Sequence, residues 1–242
     1  MEIPPSVSHD RKEDRALPVA QTLLLLILLL GYPLFSIGFD LAGAISTDEI
    51  SSRTIQIYLP TLAIQLAIIF SLWVVMRRTG SGFSELGLGR SDMKSSNIVA
   101  GLIFFVGAWL IMIILKSALS ESGYVSDENL INILPTSAGE RILWFFLAAG
   151  AALSEEIAFR GYVISRVRKI TGTYWMGAVL GSVAFSTGHL YQGIAGVLLI
   201  FIYGMLFSGL YIARKSVLPC IVAHFLQDLT VLLAPLILPH SV

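Results

Sequence analysis

The sequence predicts an all-α membrane protein, a polytopic bundle of about seven transmembrane helices with eight as the upper alternative. Three observations carry that prediction. The 242 residues are 55% apolar, with a mean hydropathy of +0.80. Only 13% are charged, against about 25% in a soluble globular domain. The apolar residues fall in runs near the roughly 20 residues needed to cross a bilayer core. A soluble enzyme, a disordered chain and a nucleic-acid-binding chain are excluded by this composition. The single cysteine, Cys220, permits neither an intrachain disulfide nor a cysteine zinc site.

The chain opens on a polar head, residues 1–18, predicted to be cytoplasmic. Seven apolar runs follow at about 19–39, 55–76, 97–119, 142–163, 173–190, 193–213 and 217–238. The first is longer than the apolar core of a signal peptide. It reads as a retained helix despite the small-residue stretch Ala42-Gly43-Ala44. Glu155, Glu156 and Arg160 interrupt the fourth, and only Leu190-Tyr191-Gln192 separates the fifth from the sixth. The 79–96 and 120–140 stretches read as connectors. Residues 19–140 thus form an N-terminal group of helices and loops, and residues 141–238 a C-terminal core.

Net charge is zero, from 16 basic and 16 acidic residues, but their distribution is lopsided. Arg11, Lys12 and Arg15 lie in the head. Arg77, Arg78, Arg90 and Lys94 follow span two. Arg160, Arg166, Arg168 and Lys169 fall at and after span four, and Arg214 and Lys215 follow span six. These 13 stand on alternate loops; Arg53 and Arg141 stand on the opposite ones, with Lys116 near the end of span three. The positive-inside rule then predicts a plasma (inner) membrane protein with a cytoplasmic N-terminus and, for seven spans, an external C-terminus. The acidic residues Asp48, Glu49, Glu121, Asp127, Glu128 and Glu140 fall on the outer loops.

Ionisable side chains inside a span cost about 2.5–3.5 kcal/mol on insertion scales and persist where they are paired or useful. Here they concentrate in the C-terminal half. Span four carries Glu155, Glu156 and Arg160; span five ends in Phe185-Ser186-Thr187-Gly188-His189; span seven carries His224 and Asp228. Glu156 and Arg160 stand four apart with the acid first, the favoured ion-pair order. Glu155 points about 100° away around the helix, so either one glutamate is neutralised while the other faces elsewhere, or both serve Arg160 and hold a helix end. Gly177 and Gly181 admit a close neighbouring helix, and the same stripe delivers Phe185 and His189 to that interface. His224 and Asp228 share a face, either as a self-satisfied local pair or aimed together at a bound carbonyl. An acid, two histidines and a second carboxyl are parts for hydrolysis, metal binding or proton relay.

In their order, Glu155-Glu156-xxx-Arg160, Phe185-xxx-His189 and His224-xxx-Asp228 resemble the motifs of the CAAX protease and bacteriocin-processing family. That family, also called the ABI family, includes the prenyl-protein endopeptidases. The resemblance covers roughly 141–238; Glu85-Leu86-Gly87-Leu88 is a weak echo of related proteins in the preceding loop. It implies glutamate-dependent intramembrane proteolysis of a membrane-associated peptide or protein, without a metal or other cofactor and without nucleic acid. Glu155 with His189 would activate a water, His224 and Asp228 would stabilise the oxyanion, and Glu156, Arg160 and Phe185 would support them. Asp228 departs from the Asn of the prenyl endopeptidases. It must either be protonated to donate or orient His224 as an imidazolium donor, and the second is the preferred reading.

Two other classes draw on the same parts. A zinc hydrolase would use Glu155, His189 and His224 as ligands, although no HExxH occurs. A transporter or bacteriocin-immunity protein would use the acids and histidines as a relay. Depth poses a further demand. At about 1.5 Å per residue, His189 falls near the outer end of span five, Glu155 near mid-membrane and His224 toward the cytoplasm. A common site therefore requires shifted or tilted helices.

Overall fold

The computed structural model describes residues 16–41, 52–121 and 133–233. Most of the head, the loop acids Asp48, Glu49, Asp127 and Glu128, and the end of the seventh predicted span lie outside these segments. Every described regular element is helical. Helix α1 covers 19–41, with a π-turn at Ile27–Gly31; α2 covers Thr54–Arg78 and α3 covers Ser95–Glu121. Helix α4 covers Ala138–Thr171 and α5 covers Tyr174–Thr187. Helix α6 covers Gly193–Arg214 and α7 covers Leu218–Leu229. Each predicted span falls on one of these helices. Among the described residues five helices are long and apolar enough to cross a membrane, while α5 and α7 are shorter. The outer faces remain apolar, with Leu23, Phe70 and Ile103 among many exposed large hydrophobics. A surface of this kind suits lipid, not water. The architecture is that of a polytopic membrane bundle.

Helix α4 is longer than the run at 142–163. It starts at a capping box, where the Ser137 hydroxyl accepts from the Glu140 amide and Glu140 accepts from the Ser137 amide. It continues to Thr171 and ends at Gly172, whose φ is +84°. The residues after 163 read as loop because they are basic. They form instead an amphipathic turn that buries Ile164 and Val167 and exposes Arg168 and Lys169. Within α4, Glu156–Val163 is a π-segment, and all eight of its residues are buried. Such insertions are rare and occur often at functional sites.

The 79–96 segment is more than a connector. It forms two short 3₁₀ turns, Phe83–Leu86 and Arg90–Asp92, and Leu86 is fully buried. Gly87 holds φ at +79°, and a Cβ there would lie 2.7 Å from the Lys215 carbonyl oxygen. The Val217 amide donates to the Gly87 carbonyl at 2.9 Å. At Gly161 of the π-segment, a Cβ would meet both Leu86 and Val217 at 3.2 Å. The loop is thus wedged between α4 and the α6–α7 turn. Arg166 closes the wedge by donating to Glu85 at 3.0 Å. Nearby, Gln21 of α1 donates to Thr79 at 2.7 Å, and the Tyr162 hydroxyl donates to the Gln21 carbonyl at 2.8 Å. Together these bonds tie α1, α2 and α4 at the basic end of the bundle.

Candidate active site

The register between helices brings His224 to the depth of Glu155 and Glu156. Helices α4 and α5 form an antiparallel hairpin in which Gly177 lets Ile164 approach, with a virtual Cβ only 2.7 Å from the Ile164 Cα. Farther along, Gly181 faces Val163 and Phe159, and Phe185 packs against the Phe159 ring at 5.4 Å. Helix α7 enters from the other side. Because the wedge holds Val217 beside Gly161, α7 begins well inside the end of α4. Seven residues onward from Val217, His224 meets Glu156, which lies five residues back from Gly161.

The α-to-π junction falls between the two adjacent glutamates, since Glu155 closes the α-helical part and Glu156 opens the π-segment. Their side chains therefore take different partners. Glu156, 1% exposed, accepts on Oε1 from Arg160 at 2.8 Å, as the sequence spacing predicts. The same oxygen lies 2.8 Å from His224 Nδ1. Its other oxygen, Oε2, is buried with no hydrogen-bond partner among the described residues. Arg160, 2% exposed, lies over the Phe185 ring at 4.6 Å and the Phe207 ring at 5.2 Å. Cation–π attraction strengthens when the cation is desolvated, so the two rings help hold an otherwise costly charge. The result is a buried relay from Arg160 through Glu156 to the imidazole of α7.

With Nδ1 committed to a carboxylate, His224 turns Nε2 toward two further acids. Glu155 Oε2 lies at 3.8 Å and Asp228 Oδ2 at 3.6 Å. Both distances exceed a hydrogen bond and leave a gap in front of Nε2. Glu155 and Asp228 are more open than the relay, at 18% and 29% side-chain exposure. The backbone of Asp228 is fixed separately, because Trp144 of α4 donates to its carbonyl at 3.0 Å. The sequence reading gave Asp228 the role of orienting His224. In the structure Glu156 makes that bond, and Asp228 faces the other ring nitrogen. Two residues four apart on one helix look like a pair, while a bond from a neighbouring helix leaves no trace in spacing.

His189 is held differently. It follows the end of α5, and its Nδ1 lies 3.0 Å from the Phe185 carbonyl oxygen. Donation from Nδ1 leaves Nε2 as an acceptor. The Phe185 ring contacts the His189 ring at 4.8 Å and the His224 ring at 6.5 Å. Among the described residues His189 makes no hydrogen bond to Glu155. Nor do three His, Cys, Asp or Glu residues among the described ones converge closely enough to hold a metal ion. The Glu155, His189 and His224 ligand set is therefore not gathered in this arrangement.

Residues outside the motifs also border the site. Tyr203 of α6 donates to Gln227 at 3.1 Å, beside Asp228. Tyr32 of α1 packs against Phe159 at 5.4 Å. Neither stands out in sequence, because a tyrosine in an apolar run reads as packing.

Residues 137–230 match the family described as Type II CAAX prenyl endopeptidase Rce1-like. The similarity to that family covers less than half of the chain. It begins at the Ser137 cap of α4 and ends just after α7, so it holds every motif residue named above. The description names that family as endopeptidases. No curated protein and no solved structure matched the chain.

Proposed function

We propose that this protein is an intramembrane endopeptidase that hydrolyses a peptide bond in a membrane-associated protein, with Glu155 as the general base. The observation that carries this reading is the convergence of Glu155, the Arg160–Glu156–His224 relay and Asp228 on two helices of the Rce1-like segment. Glu155 takes a proton from a water whose oxygen attacks the scissile carbonyl carbon. His224, anchored through Nδ1 to Glu156, donates from Nε2 to the carbonyl oxygen as it gains negative charge. The proton held by Glu155 then passes to the leaving amine, which yields a carboxylate and a free amine. His189 helps position the water through Nε2, and Asp228 stands beside His224 Nε2 at 3.6 Å. Phe185 packs between the two imidazoles.

With the basic end in the cytoplasm, the site lies about 10 Å along α7 from the α6–α7 turn. The substrate is then a segment that reaches the cytoplasmic half of the bilayer. A prenylated carboxyl-terminal tail is the first probe to try, because the family description names prenyl endopeptidases. The decisive experiment compares membrane-protein termini between cells carrying the wild-type protein and cells carrying Glu155→Gln at equal abundance. Precursor termini should accumulate with the variant. An unchanged set of termini refutes the reading.

A further inference from the structure

Tyr32 belongs to a helix with no motif, yet it lies against the candidate site. It follows the π-turn at Ile27–Gly31 directly, and that turn packs against the π-segment of α4. A π-turn advances the residues after it around the helix, and here it aims Tyr32 at α4 and α5. The ring packs edge-on to Phe159, which in turn packs on Phe185. On its other side the phenol rests on Gly188, the residue before His189. A methyl group at Gly188 would overlap both the ring edge and the hydroxyl oxygen. Only glycine admits the phenol there, which accounts for the glycine beside His189. The hydroxyl lies within electrostatic reach of Glu155 and Tyr191.

That hydroxyl makes no hydrogen bond among the described residues. Tyr58, Tyr162 and Tyr203 all spend theirs on protein acceptors: the Ile133 carbonyl, the Gln21 carbonyl and Gln227. A phenol in an apolar setting normally finds such a partner. One left without a partner among the described residues, resting on the residue before His189 and packed on Phe159 of the π-segment, is suited to hold a water, which needs two to four polar partners in a buried site.

We infer that Tyr32 is a further catalytic residue, whose hydroxyl donates a hydrogen bond to the water that Glu155 activates. The inference rests on the endopeptidase reading and extends its water site to α1. Tyr32→Phe removes the oxygen and keeps the ring on Phe159 and Gly188, so the fold is retained. The test follows the processing rate of a precursor found by comparing wild-type and Glu155→Gln cells, first by pulse-chase and then with a purified peptide spanning the cleaved bond. Tyr32→Phe should cut at the same bond with kcat about tenfold lower, the value of one hydrogen bond. KM should stay within about twofold, and the thermal midpoint in detergent should not move. Processing at the wild-type rate overturns the inference while leaving Glu155 in its role. A slower rate with an equal loss of thermal stability also overturns it, because the oxygen then serves only the fold. If Glu155→Gln changes no terminus, the endopeptidase reading fails first and Tyr32 with it.

Discussion

Replacing Arg160 with Met tests the buried relay directly. Arg160 and Glu156 are 2% and 1% exposed and 2.8 Å apart, with His224 on the same carboxylate oxygen. Removing one partner of a buried ion pair costs about 3–5 kcal/mol, because the other charge is left uncompensated. Arg160→Met fills a similar volume between Phe185 and Phe207 yet strands Glu156. Adding Glu156→Gln removes the stranded charge while keeping a carbonyl oxygen for His224 Nδ1. The single Arg160→Met variant should therefore lose about 3 kcal/mol or more. The double variant should recover roughly half of that loss, a coupling of about 1.5 kcal/mol or greater. Reversible unfolding in mixed detergent micelles, run as a double-mutant cycle, gives both numbers. An Arg160→Met protein within about 0.5 kcal/mol of wild type refutes the reasoning. So does a double variant as unstable as the sum of the two singles.

Three other outcomes are expected. Asp228→Asn should lower the cleavage rate several-fold with the fold intact; activity at or above wild type would show that an ionised carboxylate is not needed at that position. Gly87→Ala, at φ +79° with its Cβ against the Lys215 carbonyl, should cost about 1–3 kcal/mol, read as a lowered thermal midpoint, while Gly80→Ala, with open space around it, should cost less. Burial raises the Glu85 carboxyl, but the bonds from Arg166 and Ser81 outweigh it and hold the group below its usual 4.5. A depressed carboxylate stabilises the fold above its unfolded value and loses that contribution as pH falls through the folded one. At 44% exposure the contribution is below about 1 kcal/mol. It should fall progressively as pH drops below about 4.5 in the wild type and be missing at pH 7 in Glu85→Gln, as measured by thermal unfolding across that range.

The helices were legible from composition, because long apolar runs have few alternatives in a bilayer. The ion pair Glu156–Arg160 was legible from spacing, since four residues return to the same face in both the α and the π geometry found here. What spacing could not convey was the partner of His224. That depends on how deeply α7 begins, and α7 is positioned by a loop more than a hundred residues earlier in the chain. The π-segment was equally hidden, because one extra residue per turn leaves the run of apolar residues unchanged. Glu85-Leu86-Gly87-Leu88 stood out as a pattern, but its use as a wedge emerges only once Gly161 and Val217 are seen to close on it. Tyr32 carries no pattern; its importance comes from where the π-turn before it points.

The wedge also sets the order in which the protein can become whole during synthesis. Gly87 leaves the ribosome well before the amide that satisfies its carbonyl, which sits on Val217, more than a hundred residues later. Until that bond forms, the α6–α7 turn has no seat beside Gly161 and His224 has no fixed route to Glu156. A chain made only as far as α6 therefore holds both glutamates without the imidazole that would join them. Neighbouring nascent proteins meet this set of residues assembled only after α7 has been made.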